Sequence, residues 1–248
     1  MITSTTRLVA LLRYPLAESL SPRMQNAAFA ARALDWAYVA CGVAPDDLSA
    51  AVAGLRALGF AGANVTMPHK SAVAALCDEL DDIAQRSGAV NTLLFPEDGR
   101  VVGANTDGPA VSSAVDAPGA SVLVLGRGGA ARSAAVALEA AGAASVRLVS
   151  RSDPDWPPGA DDATILINAT PLRDALPVEP RPHHQVVDFP YRPDGRPTAL
   201  VAAARAAGCR TVVDGLELLV RQGALSFELW TGVPAPMDVM RAAIARIV

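Results

Sequence analysis

The sequence predicts an α/β protein in which helices and strands alternate and the helices cover a largely parallel sheet. Short apolar runs, bounded by glycine, proline or asparagine, recur along the chain and are separated by longer alanine-rich segments. After Asp107 this alternation becomes regular, as in successive βαβ units. The chain has 248 residues, of which 51% are hydrophobic, so it can bury one large core or two modest ones.

The first hundred residues are predicted to begin with strands and helices in turn. The predicted strands span residues 7–12, 36–41 and 60–65, and the predicted helices span residues 21–34 and 45–58. Ser21-Pro22 is a typical helix start, with serine as the N-cap and proline at the first helical position. Pro68 is expected to open a further helix with Lys70 in its first turn, and residues 78–86 another. A hairpin is predicted for residues 90–95 and 100–104.

The rest of the chain is predicted to follow the βαβ pattern and to end in two helices. The predicted strands span residues 121–125, 145–149, 163–167, 185–188 and 210–213. The predicted helices span residues 128–141, 198–207, 214–230 and 236–247. Residues 153–162 and 177–184 contain three prolines each and are predicted to be surface loops.

Charge and cysteine content narrow the class of protein. The formal net charge is −4 and the charges are scattered, so no nucleic-acid partner is expected. Cys41, Cys77 and Cys209 are widely spaced and odd in number, which argues against a disulfide framework and favours a reducing compartment. The apolar run at residues 8–12 is too short for a signal peptide or a membrane span. His183-His184 has no third ligand near it, so no metal is expected either. We expect a cytoplasmic protein, monomeric or homodimeric, with a small-molecule substrate.

Lysine occurs once in the chain. Of 21 basic residues, 20 are arginine, and the remaining one is Lys70. Arginine replaces lysine wherever a fixed positive charge is enough, but only lysine can exchange its proton near neutral pH when its surroundings are tuned. Lys70 is therefore a candidate acid–base residue, and His69 beside it is expected to lie at the surface, at the start of a helix.

A glycine-rich turn follows the apolar run at residues 122–125. Gly126-Arg127-Gly128-Gly129-Ala130-Ala131 has the pattern G-x-G-x-x-A between a predicted strand and an alanine-rich helix. In a dinucleotide site the first glycine allows the tight turn, the second lets the backbone approach a pyrophosphate, and the alanine lets the helix pack closely. The helix N-terminus then favours the phosphates.

The next predicted strand ends in Ser150-Arg151-Ser152. An arginine flanked by hydroxyl groups suits the 2′-phosphate of NADP, whereas an NAD site usually has an acidic residue at this point. Asp153 follows at once and could serve a 2′-hydroxyl, so use of NAD stays open.

Asparagine is also distributed unevenly. Four of the five asparagines follow or end apolar strands, namely Asn64, Asn91, Asn105 and Asn168. In a parallel sheet the strand ends border the ligand crevice. Asparagines gathered there supply donors and acceptors for a polyhydroxylated substrate.

These motifs resemble the shikimate dehydrogenase family in order and spacing, from Tyr14 to about Gly232. The resemblance in the first half is carried by Ser19-Leu20-Ser21-Pro22, Asn64-Val65-Thr66-Met67-Pro68-His69-Lys70, Gly88-Ala89-Val90-Asn91-Thr92 and Asn105-Thr106-Asp107-Gly108. In the second half it is carried by the glycine turn, Ser150-Arg151-Ser152, Asn168-Ala169-Thr170, Tyr191 and the segment from Asp214-Gly215-Leu216 to Gln222.

The resemblance implies an N-terminal α/β substrate domain, a Rossmann-like domain with a doubly wound parallel sheet, and a cleft between them. The substrate domain would span residues 1–106 and be completed by the C-terminal helices, residues 217–248. The Rossmann-like domain would span residues 107–216 and bind NADP. The implied reaction is the reversible NADPH-dependent reduction of 3-dehydroshikimate to shikimate, in the shikimate pathway of aromatic amino acid biosynthesis.

The resemblance also implies roles for individual residues. Lys70 would be the catalytic acid–base group, and Asp107 its partner, which binds a substrate hydroxyl. The implied substrate-binding residues are Ser19, Ser21, Asn64, Thr66, Asn91, Tyr191 and Gln222. The implied cofactor-binding residues are Gly126, Arg127, Gly128, Gly129, Ala130, Ser150, Arg151, Ser152, Asn168, Ala169, Thr170 and Gly215.

Some positions depart from the family pattern. Arg13, Glu18 and Gln25 stand where the first motif usually has a glycine and two histidines, Pro171 follows Asn168-Ala169-Thr170 in place of serine, and Glu217 replaces a glycine. The alternatives left open are a quinate/shikimate dehydrogenase that uses NAD and an enzyme for an aminated shikimate analogue. A different class of function would be an inactive paralogue that senses NADP or shikimate.

Overall fold

The computed structural model describes residues 2–16, 18–192 and 194–245. Its contacts divide the chain into two compact units. The first unit contains the described residues up to Thr106 and those from Val220 onward, and the second contains Asp107–Leu219.

The first unit is built on a six-stranded mixed sheet. Its strands are β1 (Arg7–Arg13), β2 (Trp36–Gly42), β3 (Gly62–Val65), β4 (Glu79–Leu80), β5 (Thr92–Leu94) and β6 (Val102–Ala104). They lie in the order β2-β1-β3-β5-β6-β4. β1 is parallel to β2 and β3, β5 is antiparallel to β3 and β6, and β4 is parallel to β6.

Helices pack against this sheet and form its core. They are α1 (Ser21–Ala31), α2 (Leu48–Ala57) and α3 (Asp82–Ser87), with the two C-terminal helices α7 (Gly215–Thr231) and α8 (Met237–Ala245). Leu12, Val65 and Leu93 of the strands are buried with Val52 of α2. The ring of Phe29 on α1 stacks on that of Phe227 on α7, with centroids 5.3 Å apart. The C-terminal helices thus complete a core that the first hundred residues begin.

The second unit is built on a five-stranded parallel sheet. Its strands are β7 (Ser121–Leu125), β8 (Ser145–Val149), β9 (Ile165–Asn168), β10 (Gln185–Asp188) and β11 (Thr211–Val213), in the order β11-β10-β9-β7-β8. The chain runs from β7 outward to β8 and then crosses back to β9, so the switch point of the sheet lies between β7 and β9. Its helices are α4 (Asp107–Ser112), α5 (Gly129–Ala140) and α6 (Ala199–Ala206).

The connection from β8 to β9 is a loop. Residues 150–164 are all described, and none of them is helical, although parallel strands are usually joined through a helix. Trp156 and Ala160 of this loop, with Val178 of the next loop and Leu200 of α6, pack on the apolar face that includes Leu123 and Leu166. Loop residues therefore cover much of a sheet face that a helix would otherwise cover.

The predicted α/β class is confirmed, and most predicted elements are present with shifted ends. Three expectations about these elements were wrong. Ser21 is not the N-cap of α1 but its first residue, after Leu20. Pro68 does not open a helix, because residues 67–72 form turns and a short 3₁₀ helix begins only at Val73. Residues 78–86 are not one helix, because Glu79–Leu80 pair with β6 before α3 begins. The predicted domain bounds stay a prediction.

Gly62 offers a test of the packing around β3. A Cβ atom at this position would overlap the Leu93 carbonyl oxygen and the indole nitrogen of Trp230, which are joined by a 2.9 Å hydrogen bond. Gly62→Ala should lower the free energy of unfolding by roughly 3 kcal/mol or more, since backbone and a buried ring must shift. Chemical denaturation of both proteins measures the difference.

Gly54→Ala is the matched control for this change. A Cβ at Gly54, inside α2, would have nothing within 4 Å, so the variant should gain about 0.5–1 kcal/mol from helix propensity alone. Equal effects at the two glycines would contradict the packing described for β3.

Candidate active site

One edge of the first sheet collects the ends of four strands. β1, β3 and β6 run in the same direction and finish at this edge, while antiparallel β5 begins there. The segments that follow or precede these strand ends carry Ser19 and Ser21 after β1, Thr66 and Lys70 after β3, and Asn91 before β5. The topology therefore brings these five predicted site residues to one edge.

Lys70 lies half-buried in the turns after β3. Its backbone carbonyl accepts a 2.8 Å hydrogen bond from the Val90 amide, which ties this turn to the segment that leads to Asn91. His69 beside it was expected at the surface, and this was wrong. It is 1% exposed and its Nε2 lies 2.9 Å from the Val43 carbonyl oxygen. The turn is thus held from inside by His69, while Lys70 reaches partly into solvent.

The serine segment after β1 is also held locally. The Ser21 amide donates to Ser19 Oγ over 3.3 Å, and the Ser21 side chain is hydrogen-bonded to the Tyr38 hydroxyl. Arg13 turns toward the same segment, with Nε 3.3 Å from the Pro15 carbonyl oxygen and Nη1 3.5 Å from that of Glu18. Arg13, which stands where the family motif usually has a glycine, therefore donates to backbone carbonyls of the loop that leads to the two serines.

A buried polar network lies under this edge and centres on Asn64. Its Oδ1 accepts from the Tyr38 hydroxyl over 2.9 Å, and its Nδ2 donates to the Asn91 carbonyl oxygen, Thr92 Oγ1 and Ser226 Oγ at 3.0–3.2 Å. Burial is the main cause that raises the pKa of the Tyr38 hydroxyl, so it stays a neutral donor. The amide of Asn64 thus bonds to the protein itself.

Ser226 of α7 joins this network to the next strand. Its hydroxyl lies 2.8 Å from Thr92 Oγ1 and 3.2 Å from Thr106 Oγ1, and it donates to the Gln222 carbonyl oxygen one helical turn earlier. Asn91 closes the network, because its Oδ1 accepts the Thr106 amide over 2.8 Å. This fixes the turn of α7 that carries Gln222 against the ends of β5 and β6.

Gln25 anchors the same helix from the other side. This fully buried side chain donates from Nε2 to the Gly223 carbonyl oxygen over 2.9 Å. Its Oε1 has no hydrogen-bond partner among the described residues. The residue that replaces a family histidine therefore holds α1 to α7 beside Gln222.

In the second unit, the glycine turn lies at the switch point of the sheet. Gly126 has φ of +119°, which favours glycine, and its position faces the Ala169 backbone, because a Cβ there would come within 3.1 Å of the Ala169 carbonyl oxygen. A Cβ on Gly128 would meet nothing within 4 Å, so the backbone before α5 is open. Ala131 is fully buried against the strands. The turn therefore has the open backbone and free helix N-terminus that a pyrophosphate needs.

The turn after β8 carries the predicted 2′-phosphate residues. Arg151 is exposed, and the hydroxyls of Ser150 and Ser152 on either side lie 2.8 Å apart. Asp153 Oδ2 accepts from the Ser150 amide over 2.9 Å and from Arg127 Nη2 over 2.7 Å. These two hydrogen bonds, the backbone one first, lower the pKa of the Asp153 carboxyl.

Asn168 ends β9 next to the glycine turn and is held by buried Asp188. Asn168 Nδ2 donates to Asp188 Oδ1 over 2.7 Å, and its Oδ1 accepts from Thr170 Oγ1 over 2.6 Å and from the Thr170 amide over 3.1 Å. Asp188 also accepts from the hydroxyl of Thr198, the N-cap of α6. Burial is the largest cause that raises the pKa of Asp188 to about 6.

The remaining predicted residues lie elsewhere in the second unit. Tyr191 and Gly215 line one small cavity of about 30 Å³ together with Arg192 and Asp214. Asp107 is 5% exposed and begins α4.

Tyr38, Ser226, Asp188 and Thr198 were not predicted to take part in the site. Asp188 ends an apolar strand just as Asn168 does, so the strand-end pattern could have found it. Ser226 lies one helical turn after Gln222 and shares its face. Tyr38 lies inside a strand, and the sequence gives no signal for its hydrogen bonds.

In the described part of the chain, no three metal-ligating side chains come together in a way that could hold a metal ion. His184 is buried and its Nδ1 accepts from the Arg181 amide. The helices of the described residues include none long and apolar enough to cross a membrane.

The raised pKa of Asp188 predicts how stability changes with pH. In the unfolded chain an aspartate ionises near 3.9, whereas the buried one holds its proton to about 6. Between about pH 4 and pH 6 the unfolded state therefore binds fewer protons than the folded state, so wild type loses up to roughly 3 kcal/mol as the pH rises. Asparagine does not titrate, and Asp188→Asn should lack this loss.

Urea unfolding of wild type and Asp188→Asn from pH 4 to pH 7 measures the difference. Asp194→Asn is the control, because hydrogen bonds to Arg196 lower the pKa of this exposed carboxyl and its contribution should run in the opposite direction. A difference between wild type and Asp188→Asn that stays constant with pH would contradict the burial described for Asp188.

Known proteins resemble this chain along almost its whole length. Residues 11–93 match the profile of the shikimate dehydrogenase substrate binding domain, and residues 215–245 match that of the shikimate 5′-dehydrogenase C-terminal domain. The shikimate dehydrogenase (NADP(+)) of Anaeromyxobacter sp. strain Fw109-5 is 45% identical in an alignment that covers 99% of this chain and 98% of that protein.

Two solved structures show the same fold. Shikimate 5-dehydrogenase from Thermus thermophilus, in complex with NADP(H) and shikimate, has a TM-score of 0.85 and 34% identity, covering 98% of this chain and 100% of that one. The ligand-free 5-ketofructose reductase of Gluconobacter sp. strain CHM43 has a TM-score of 0.89 and 31% identity, covering 99% and 100%. Sequence identity of this extent, together with the motifs at both sheet edges, shows that the chain belongs to the shikimate dehydrogenase family.

Proposed function

We propose that this chain is an NADP-dependent shikimate dehydrogenase, which interconverts 3-dehydroshikimate and shikimate in the shikimate pathway of aromatic amino acid biosynthesis. The observation that carries the proposal is the position of Lys70, the single lysine of the chain, at the edge where Ser19, Ser21, Thr66 and Asn91 also lie. The Thermus relative, 34% identical, was solved with NADP(H) and shikimate.

The domain assignment follows from this function. We propose that residues 1–106 and 217–248 bind the substrate and that residues 107–216 bind the dinucleotide. The division of contacts supports this, since it separates the chain between Thr106 and Asp107 and returns to the first unit at Val220.

Lys70 would supply the proton in the reaction. When bound, NADPH provides the hydride for the carbonyl carbon. The Lys70 ammonium donates a proton to the carbonyl oxygen in this direction and takes the hydroxyl proton back in the other. Asp107 binds a substrate hydroxyl as the partner of Lys70. A single lysine in a half-buried turn, with a backbone held by Val90, suits a group that must transfer a proton at a fixed place.

The substrate carboxylate and ring hydroxyls are assigned to the polar residues of the family motifs. Ser19 and Ser21 bind the carboxylate, with Tyr191, and the start of α1 favours an anion at Ser21. Thr66, Asn91 and Gln222 bind ring hydroxyls. Asn64 is also assigned here, and the hydrogen bonds of its amide to Tyr38, Thr92 and Ser226 support a role in fixing the groups around the substrate.

The second unit has the features that NADP requires. Gly126, Gly128, Gly129 and Ala130 would place backbone amides at the pyrophosphate, and Arg151 with Ser150 and Ser152 would bind the 2′-phosphate. Asn168, Ala169, Thr170 and Gly215 would border the nicotinamide. The open backbone at Gly128 and the exposure of Arg151 support this assignment.

We further propose that the protein acts in the cytoplasm as a monomer or homodimer. Three free cysteines among the described residues fit a reducing compartment.

Initial rates of nicotinamide reduction test the proposed function. Shikimate and quinate are each paired with NADP and NAD, and the reduction of 5-ketofructose by NADPH is measured beside them, because a reductase of that sugar shares this fold. Fast turnover with shikimate and NADP alone supports the proposal. Preference for quinate, for NAD or for 5-ketofructose replaces the proposed function with that activity. No turnover in any pairing leaves two alternatives, an enzyme for an aminated shikimate analogue and an inactive binding paralogue.

Lys70→Ala should lower kcat about 10²- to 10⁴-fold, the usual contribution of general acid–base catalysis, while NADP binding stays unchanged. Lys70→Arg keeps the positive charge but cannot exchange a proton near neutral pH, so it should be nearly as slow. Steady-state kinetics and NADP titration measure both effects. Near-normal turnover in Lys70→Arg would mean that Lys70 contributes only its positive charge. Near-normal turnover in Lys70→Ala would mean that Lys70 takes no part in the mechanism.

Arg151→Ala should raise the KM for NADP about 10- to 100-fold, because a charge-assisted contact to the 2′-phosphate is lost, and leave the KM for NAD little changed. Arg210→Ala is the control, since this exposed arginine precedes β11 at the opposite edge of the same sheet. Equal effects of Arg151→Ala on both cofactors would show that Arg151 does not recognise the 2′-phosphate.

A further inference from the structure

The Arg127 side chain leaves the glycine turn and crosses to the end of β8. Its Nη2 lies 2.7 Å from Asp153 Oδ2 and 3.4 Å from the Leu148 carbonyl oxygen. The backbone of Arg127 is held as well, because Arg132 Nη1 of α5 donates to its carbonyl oxygen over 3.0 Å. The guanidinium is therefore placed beside the turn that carries Arg151.

Asp153 connects these two parts of the surface. One carboxylate oxygen, Oδ2, accepts from both the Arg127 guanidinium and the Ser150 amide. The Asp153 side chain is 21% exposed, whereas that of Arg127 is 58% exposed. The acid therefore lies beneath the arginine, and the arginine presents its outer side to solvent.

Arg127 keeps donors for a further ligand. A guanidinium carries five N–H groups, and the hydrogen bonds that it makes within the described residues both come from Nη2. The donors on Nε and Nη1 remain, and the planar fork suits a phosphate.

The geometry points to a two-arginine site for the 2′-phosphate. In a doubly wound sheet the adenosine ribose lies at the end of the strand after the glycine turn, which is β8 here. We propose that Arg127 and Arg151 bind the 2′-phosphate together and that Asp153 is a positioning residue that holds the Arg127 guanidinium over the end of β8. This rests on the proposed use of NADP.

This assignment gives Asp153 a role opposite to that of an acidic residue in an NAD site. A carboxylate that recognises the ribose must point to the 2′-hydroxyl, whereas Asp153 directs Oδ2 to Arg127 and to the Ser150 amide. The low pKa of its carboxyl keeps it ionised, as the ion pair requires. Arg127, in turn, acts at the adenosine ribose rather than at the pyrophosphate.

Binding of 2′,5′-ADP and of 5′-AMP, which differ only in the 2′-phosphate, is measured by calorimetry with the full chain and tests the proposal. Asp153→Asn removes the charge but keeps an oxygen that can accept from Arg127 and Ser150, whereas Asp153→Ala removes both. If Asp153 acted only by repelling the 2′-phosphate with its negative charge, the two variants would bind 2′,5′-ADP equally and more tightly than wild type. If Asp153 positions Arg127, Asp153→Ala should bind 2′,5′-ADP at least about fivefold more weakly than Asp153→Asn, while the two variants should bind 5′-AMP almost equally.

The same pair is then compared in the Arg127→Ala background. The proposal expects Arg127→Ala to weaken binding of 2′,5′-ADP about tenfold without affecting binding of 5′-AMP, and to abolish the difference between the two Asp153 variants. A difference that persists without Arg127 would mean that Asp153 acts through Ser150 and Arg151 and would overturn the proposal. Equal binding by the two Asp153 variants, or no effect of Arg127→Ala, would also overturn it.

Wild type separates this inference from the proposed function. If wild type binds 2′,5′-ADP no more tightly than 5′-AMP, the proposed preference for NADP fails. If it prefers 2′,5′-ADP and Arg151→Ala removes the preference while Arg127→Ala does not, only the role of Arg127 fails. Thermal unfolding of each variant verifies that it is folded.

Discussion

Polar side chains buried at strand ends must find hydrogen-bond partners, and both units depend on how this requirement is met. In the first unit Asn64, Thr92 and Ser226 bond to one another under the sheet edge. In the second, Asp188 bonds to Asn168 and Thr198. Each network links at least two strands or a strand and a helix, so the polar groups that line a site are fixed by the same contacts that stabilise the fold.

This arrangement separates buried residues that hold the sheet edge from half-buried residues to which we assign substrate binding and proton transfer. The buried amides and hydroxyls take up one another's hydrogen-bonding capacity, while Thr66, Lys70 and Gln222 lie half-buried beside them. A proton-transferring group needs such a rigid base because small displacements cost rate. Arg13 and Gln25, which depart from the family pattern, belong to the residues that hold this edge, since each donates to a backbone carbonyl oxygen near it.

The sequence predicts the class, nearly all strands, and the edge at which Lys70 lies, because apolar periodicity and glycine turns are local signals. The sequence does not predict features that depend on contacts between residues distant along the chain. Glu79–Leu80 is a strand only because β6 lies beside it, and the buried ring of His69 lies within hydrogen-bond distance of the carbonyl oxygen of Val43, which is distant in sequence. The ion pair between Arg127 and Asp153 joins residues 26 positions apart, and neither motif predicts it.

The helix-free connection between β8 and β9 has a consequence for how this protein changes over time. Loops accept insertion, deletion and substitution more readily than the elements they join. Residues 150–153, which contact the adenosine end of a dinucleotide in our proposal, begin such a loop, whereas Lys70 lies in a turn whose neighbour is buried. Cofactor preference can therefore drift by small steps in one loop, while the proposed proton-transfer site stays under the constraint of its packed surroundings.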